Sequence, residues 1–176
     1  MPGSRPGMTN NIAPVANEDR LPWWHPAALV ATGFGIGLLP VMPGTWGSLA
    51  ALPCAWAIRF YGSVWCLLAS AVAVFLLGCW ASARVAAAAG RDDPGFIVID
   101  EIAAQWLVLI AAPLSPSWYA AAFLLFRLFD IVKPWPIKRI EQAAAGGLGI
   151  MLDDIMAAFY ALALLVIGEG VVGVRS

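Results

Sequence analysis

From Phe60 to Ala83 the chain runs for 24 residues without a formal charge, bounded by Arg59 and Arg84. At about 1.5 Å per residue, a helix of that length crosses a hydrocarbon core of about 30 Å. In lipid every backbone N–H and C=O must be satisfied inside the protein, and a helix satisfies them locally. The segment therefore reads as a transmembrane helix. Composition points the same way. Hydrophobic residues make up 61% of the chain and charged residues 12%, where soluble domains carry about 25% charged. The expected fold class is all-α: a multi-helical, membrane-embedded bundle with short or broken helices. A net charge of −1 gives no electrostatic case for nucleic acid. Three cysteines, Cys54, Cys66 and Cys79, lie in apolar stretches with no paired spacing, so they read as packing residues.

The remaining apolar sequence is broken by proline and glycine. Residues 1–25 read as a disordered tail without the apolar core of a cleaved signal peptide. The folded domain is expected at 26–170, followed by a short tail at 171–176. Pro40, Pro43 and Gly44 interrupt the first apolar stretch, and the next helix is expected over Ser48–Ile58. His25, beside Trp23 and Trp24, suits an interfacial aromatic belt. Ile102–Phe126 is uncharged, but Pro113 and Pro116 oppose one straight helix. A helical hairpin follows, with arms near 97–112 and 117–132. Pro134 and Pro136 then start a helix that is expected to end at Gly146 and Gly147. A final helix is expected over about 150–168.

The hairpin has a chemical consequence. Folding about Leu114 and Ser115 sets Asp100 opposite Phe129 or Asp130, and Glu101 opposite Leu128. Charged clusters far apart in sequence then share one level. Asp153 and Asp154, read as opening the last helix, add two more carboxylates. Ionised groups in apolar surroundings are costly unless paired or metal-bound, and inside membrane segments they are functional candidates. Asp100, Glu101, Asp130, Asp153 and Asp154 offer the hard oxygen donors that suit Mg²⁺ rather than zinc. Glu101 and Gln105 share a helix face. Arg127 and Lys133 are the cationic counterpart, suited to phosphate, whereas Lys138 and Arg139 suit a headgroup-facing surface. Interhelical salt bridges are the alternative for Arg127, and complementation of a helix dipole is the alternative for Asp153 and Asp154. The segment from Pro43 to Ser48, with Gly44, Thr45 and Ser48, is similar to an anion nest before a helix, though an ordinary N-cap turn has the same pattern.

Some phosphatase chemistries are excluded by what is missing. The single histidine cannot supply both a nucleophile and its partner, no cysteine is followed by five residues and an arginine, and no Asp-x-Asp occurs. Metal-assisted attack by water remains, as does a non-enzymatic transport site for a cation or phosphate.

Five segments together carry a resemblance: 33–40 (GFGIGLLP), 43–50 (PGTWGSLA), 99–101 (IDE), 126–137 (FRLFDIVKPWPI) and 146–157 (GGLGIMLDDIMA). In this order the chain resembles the phosphatidylglycerophosphatase A family from about residue 30 to 168. The resemblance implies an all-helical, Mg²⁺-dependent enzyme of the bacterial inner membrane. It implies removal of the terminal phosphate from phosphatidylglycerophosphate, leaving phosphatidylglycerol. Its motifs fall on Asp100, Glu101, Arg127, Asp130, Lys133, Asp153 and Asp154, and more loosely on Thr45 and Ser48. They do not divide the carboxylates into ligands and base; Glu101 is the favoured water-orienting group. Arg84, Arg91, Arg127, Lys133, Lys138 and Arg139 fall on the carboxylate side of the expected helices, against Arg59 and Arg175 on the other. By the positive-inside rule the site then faces the cytoplasm.

Overall fold

The computed structural model describes residues 21–135, 137 and 146–173. Among these the secondary structure is entirely helical: α1 (Pro26–Ala31), a 3₁₀ turn (Ile36–Leu38), α2 (Pro43–Tyr61), α3 (Val64–Ala89), α4 (Ile99–Leu109), α5 (Pro116–Val132) and α6 (Gly146–Val172). The helix expected after Pro136, together with Lys138 and Arg139, lies outside the described residues except for Ile137.

The shortest of the larger helices is the central one. α4 has 11 residues, about 16 Å of helix, too short to cross a bilayer. It packs against α2, α3, α5 and α6. Its Ala104, Val108 and Leu109 are buried among Ala55, Tyr119, Phe126, Ala158 and Ala161, while Ala103 joins a second cluster with Ala27, Ala81 and Met151. By length and composition α3 and α6 are apolar enough to span a membrane. The expected hairpin is present as α4 and α5, joined through residues 110–115.

Two expected boundaries are corrected. α2 opens at Pro43, not Ser48. Proline costs nothing at the first helical position, where the N–H has no intrahelical partner anyway. The helix expected to end at Gly146 and Gly147 lies outside the described residues, but α6 opens at Gly146 rather than near residue 150, so Asp153 and Asp154 lie about two turns inside it. The reason is packing. A Cβ on Gly147 would strike the Cys79 carbonyl oxygen of α3, and one on Gly78 would meet the Met151 sulfur at 2.6 Å. Small residues let α3 and α6 approach closely, and this contact outweighs glycine's poor helix propensity.

These packings bring one end of the bundle together. The N-termini of α2, α4 and α6 meet the C-terminal turn of α5 there. The turn between α1 and α2 is anchored alongside, where the Val98 N–H donates to the Ala31 carbonyl at 2.8 Å.

Candidate metal and phosphate site

α4 contributes Asp100 and Glu101 from its first turn, where the helix dipole favours negative charge. α6 contributes Asp154. Oxygens of Asp100, Glu101 and Asp154 lie within 4.8 Å of one another. Asp100 and Asp154 are buried, and Glu101 nearly so. Asp100 and Glu101 lie outside the two candidate spans. Burial, reinforced by the Glu101 charge, holds the Asp100 carboxyl well above the ordinary carboxylate range. Burial also raises Glu101, and the Asp130 charge adds to this. Like charges gathered out of water call for a compensating cation.

The two remaining expected carboxylates are placed beside cations. Arg127 pairs with Asp130 at 2.6 Å and approaches Glu101 at 3.7 Å. Lys133 caps α5 and pairs with Asp153 at 2.6 Å. The hairpin register is therefore close to expectation, with Glu101 meeting Arg127 one residue from the expected partner. Asp153 also accepts the Asp154 N–H at 2.9 Å. The helix-dipole alternative for these two aspartates fails, because neither is in the first turn of α6.

α2 supplies the third wall. Ser48 donates to the Gly44 carbonyl at 2.9 Å and faces Arg127 at 3.5 Å. Thr45 lies in the first turn with its hydroxyl buried and unpartnered. The N–H groups of Thr45 and Trp46 are taken up by the Met42 carbonyl, so the segment is a helix start rather than an open loop. Gly44 has a sharper role than its sequence pattern suggests. A Cβ there would collide with Glu101 Oε1 and lie 3.3 Å from Arg127 Nη1.

The polar atoms left over define the chemistry. Glu101 Oε2, Asp154 Oδ2, Arg127 Nε and the Thr45 hydroxyl are buried without hydrogen-bond partners. Buried polar groups are nearly always satisfied, so unpaired acceptors beside unpaired donors make this a candidate place for a cation and an anion together. Three carboxylates from two helices suit a hard divalent ion. Ser82, also buried and unpartnered on α3, had no sequence signal beyond being a lone polar residue in an apolar helix.

Known proteins are similar to this chain in sequence. The family described as Phosphatidylglycerophosphatase A matches residues 29–169. The Haemophilus influenzae protein named phosphatidylglycerophosphatase A is 44% identical over 139 residues, covering 78% of this chain and 85% of the relative. The Escherichia coli protein of the same name is 39% identical over 150 residues, covering 84% and 86%. A Bacteroides thetaiotaomicron protein, provisionally named a phosphatidylinositol-3-phosphatase, is 37% identical over 152 residues, covering 82% and 94%. No solved structure matches.

Proposed function

The chain belongs to the phosphatidylglycerophosphatase A family, and we propose that it hydrolyses the terminal phosphate monoester of phosphatidylglycerophosphate with the help of Mg²⁺. The observation that carries this reading is the buried convergence of Asp100, Glu101 and Asp154 beside Arg127, with an unpaired oxygen on Glu101 and another on Asp154. The transport alternative has no support among the relatives.

Asp100, Asp154 and one oxygen of Glu101 would hold the ion, leaving the other Glu101 oxygen for water, and the charges of Asp130 and Asp153 act on Asp154 from nearby. When bound, Mg²⁺ supplies Lewis-acid polarisation of a phosphoryl oxygen. Arg127 and Lys133 neutralise the remaining phosphoryl oxygens, drawing on charge-assisted hydrogen bonds. Thr45 and Ser48 add hydroxyl donors from α2. Glu101 Oε2 orients a water for in-line attack and takes its proton, a role suited to a carboxylate whose affinity for protons is raised by burial. The water oxygen bonds to phosphorus, the ester P–O bond breaks, and the glycerol oxygen leaves and is protonated. Inorganic phosphate and phosphatidylglycerol are the products.

The setting is a membrane. Phe60, Tyr61 and Trp65 are exposed at one end of the bundle, and Trp23, Trp24, Trp46 and Trp135 at the end that carries the site. Aromatic belts of this kind occur at both bilayer interfaces. We place the site on the cytoplasmic face of a bacterial inner membrane, because Arg84 and Arg91 share its end. Gly95 has open space around its would-be Cβ. A single cysteine there, with native cysteines removed, should react with an impermeant thiol reagent in inverted vesicles and stay unlabelled in intact cells. Labelling in intact cells would reverse the orientation.

The substrate is tested by phosphate release from phosphatidylglycerophosphate, phosphatidylinositol 3-phosphate and phosphatidic acid under one condition. Phosphatidylglycerophosphate should lead in kcat/KM by at least about tenfold, about 1.4 kcal/mol in transition-state binding. A lead for the inositol lipid would transfer the assignment to that substrate, and no release from any would end the phosphatase reading.

A further inference from the structure

Gln105 is fully buried, yet neither its amide oxygen nor its amide nitrogen has a partner. It lies one turn beyond Glu101 on the same face of the central helix. Beyond it on that face come Val108 and Ala112, both fully buried in the apolar core. Glu101 is thus the polar neighbour that its own helix face provides, and Glu101 Oε2 is itself unpartnered.

An orphaned buried amide is an expense that core packing does not explain. Leaving a buried donor or acceptor unsatisfied carries the full desolvation penalty of that group, whereas an apolar group of the same shape costs little. A methionine or leucine would fill this space more favourably. Side chains that oppose stability in this way are characteristic of functional sites. Two unpartnered polar groups one turn apart on a buried helix face are suited to a bridging water, which needs two to four polar partners.

We infer that Gln105 is a positioning residue, its amide N–H fixing Glu101 Oε2 through a buried water so that the carboxylate presents a single orientation to the attacking water. The inference rests on the phosphatase reading of the site. Gln105 does not touch the phosphate. It acts through Glu101, as groups that hold first-contact ligands act in other metal sites.

The test compares Gln105→Met, nearly isosteric and apolar, with Gln105→Asn, which keeps the amide. In metal-free protein Gln105→Met should melt at or above the wild-type temperature. It should bind Mn²⁺, followed by electron paramagnetic resonance, with little change in affinity. Its kcat should fall by on the order of 10- to 100-fold, with KM nearly constant. Gln105→Asn should recover much of the lost kcat. An unchanged kcat in Gln105→Met would overturn the inference. So would a parallel fall of melting temperature and kcat in both variants, including failure to fold, because that marks packing alone. Absence of turnover by the wild-type enzyme would strike the phosphatase reading instead. The melting comparison would still decide, since a lower metal-free melting temperature for Gln105→Met means the amide is satisfied within the core.

Discussion

The bundle holds a largely enclosed arginine at each end, and the two are used differently. Arg127 stands among carboxylates, paired to Asp130 and near Glu101, with its Nε unpartnered. Arg59, at the C-terminal end of α2, donates to the backbone carbonyls of Leu109 (at 2.9 Å) and Ala112. Those carbonyls belong to the end of α4 and the turn after it, where a helix dipole favours a cation. Arg59 therefore stabilises the tip of the hairpin and finishes the central helix. Arg127 sits at the opening of that hairpin, where several polar atoms are left unsatisfied. One end of α4 is closed by hydrogen bonds from Arg59; the other keeps buried polar atoms without partners, which a ligand completes under the proposed function. The contrast separates structural from functional burial of charge better than the arginine count does.

The largest effect should come from the carboxylates that, among the described residues, pair with no cation. Asp154→Asn keeps the shape of the side chain and removes charge from a crowded acidic cluster. Phosphate release should fall by about 10²- to 10³-fold, the scale lost when a key electrostatic group is removed. The metal-free protein should melt no lower than wild type, since like-charge repulsion is relieved. A variant that unfolds while the surviving folded fraction keeps its activity would make Asp154 a structural residue. Gly44→Ala probes the same end by geometry. Its methyl group would displace Glu101 Oε1, and a misplacement of about 1 Å can cost about 10²-fold in rate. Melting should move less than activity, and normal kcat in this variant would show that Glu101 can shift freely.

The smallest effect on catalysis should come from the far end. Arg59→Met removes donors from the Leu109 and Ala112 carbonyls and should cost about 1–3 kcal/mol of stability. The folded enzyme should retain kcat within a factor of about two, well below one kcal/mol of barrier. A large loss of kcat at normal stability would break the division between the two ends.

How much of this was legible depends on the kind of signal. The hairpin could be read because Pro113 and Pro116 forbid a straight helix and because folding there brings Glu101 level with Arg127. The carboxylates stood out because few charges interrupt this apolar chain. Helix starts were less legible. α6 was expected from about residue 150, yet the close contact of Gly147 with Cys79 carries its start back to Gly146. Gly44 resembled part of an anion nest or an N-cap turn, and its actual constraint is a carboxylate from a helix more than fifty residues away. Long-range contacts of this kind leave no trace in local propensity. The orphaned state of Gln105 was equally invisible, since helical spacing gives its face but not its neighbours.

The central claim is that the open end of α4 is completed by a divalent cation held by Asp100, Glu101 and Asp154. Purified protein in phospholipid micelles, stripped with EDTA, should release no phosphate from phosphatidylglycerophosphate. Added Mg²⁺ should restore turnover in a saturable manner, and Asp154→Asn should fail to respond at any Mg²⁺ concentration that saturates the wild type. Full turnover of the wild-type protein in excess chelator would contradict the account.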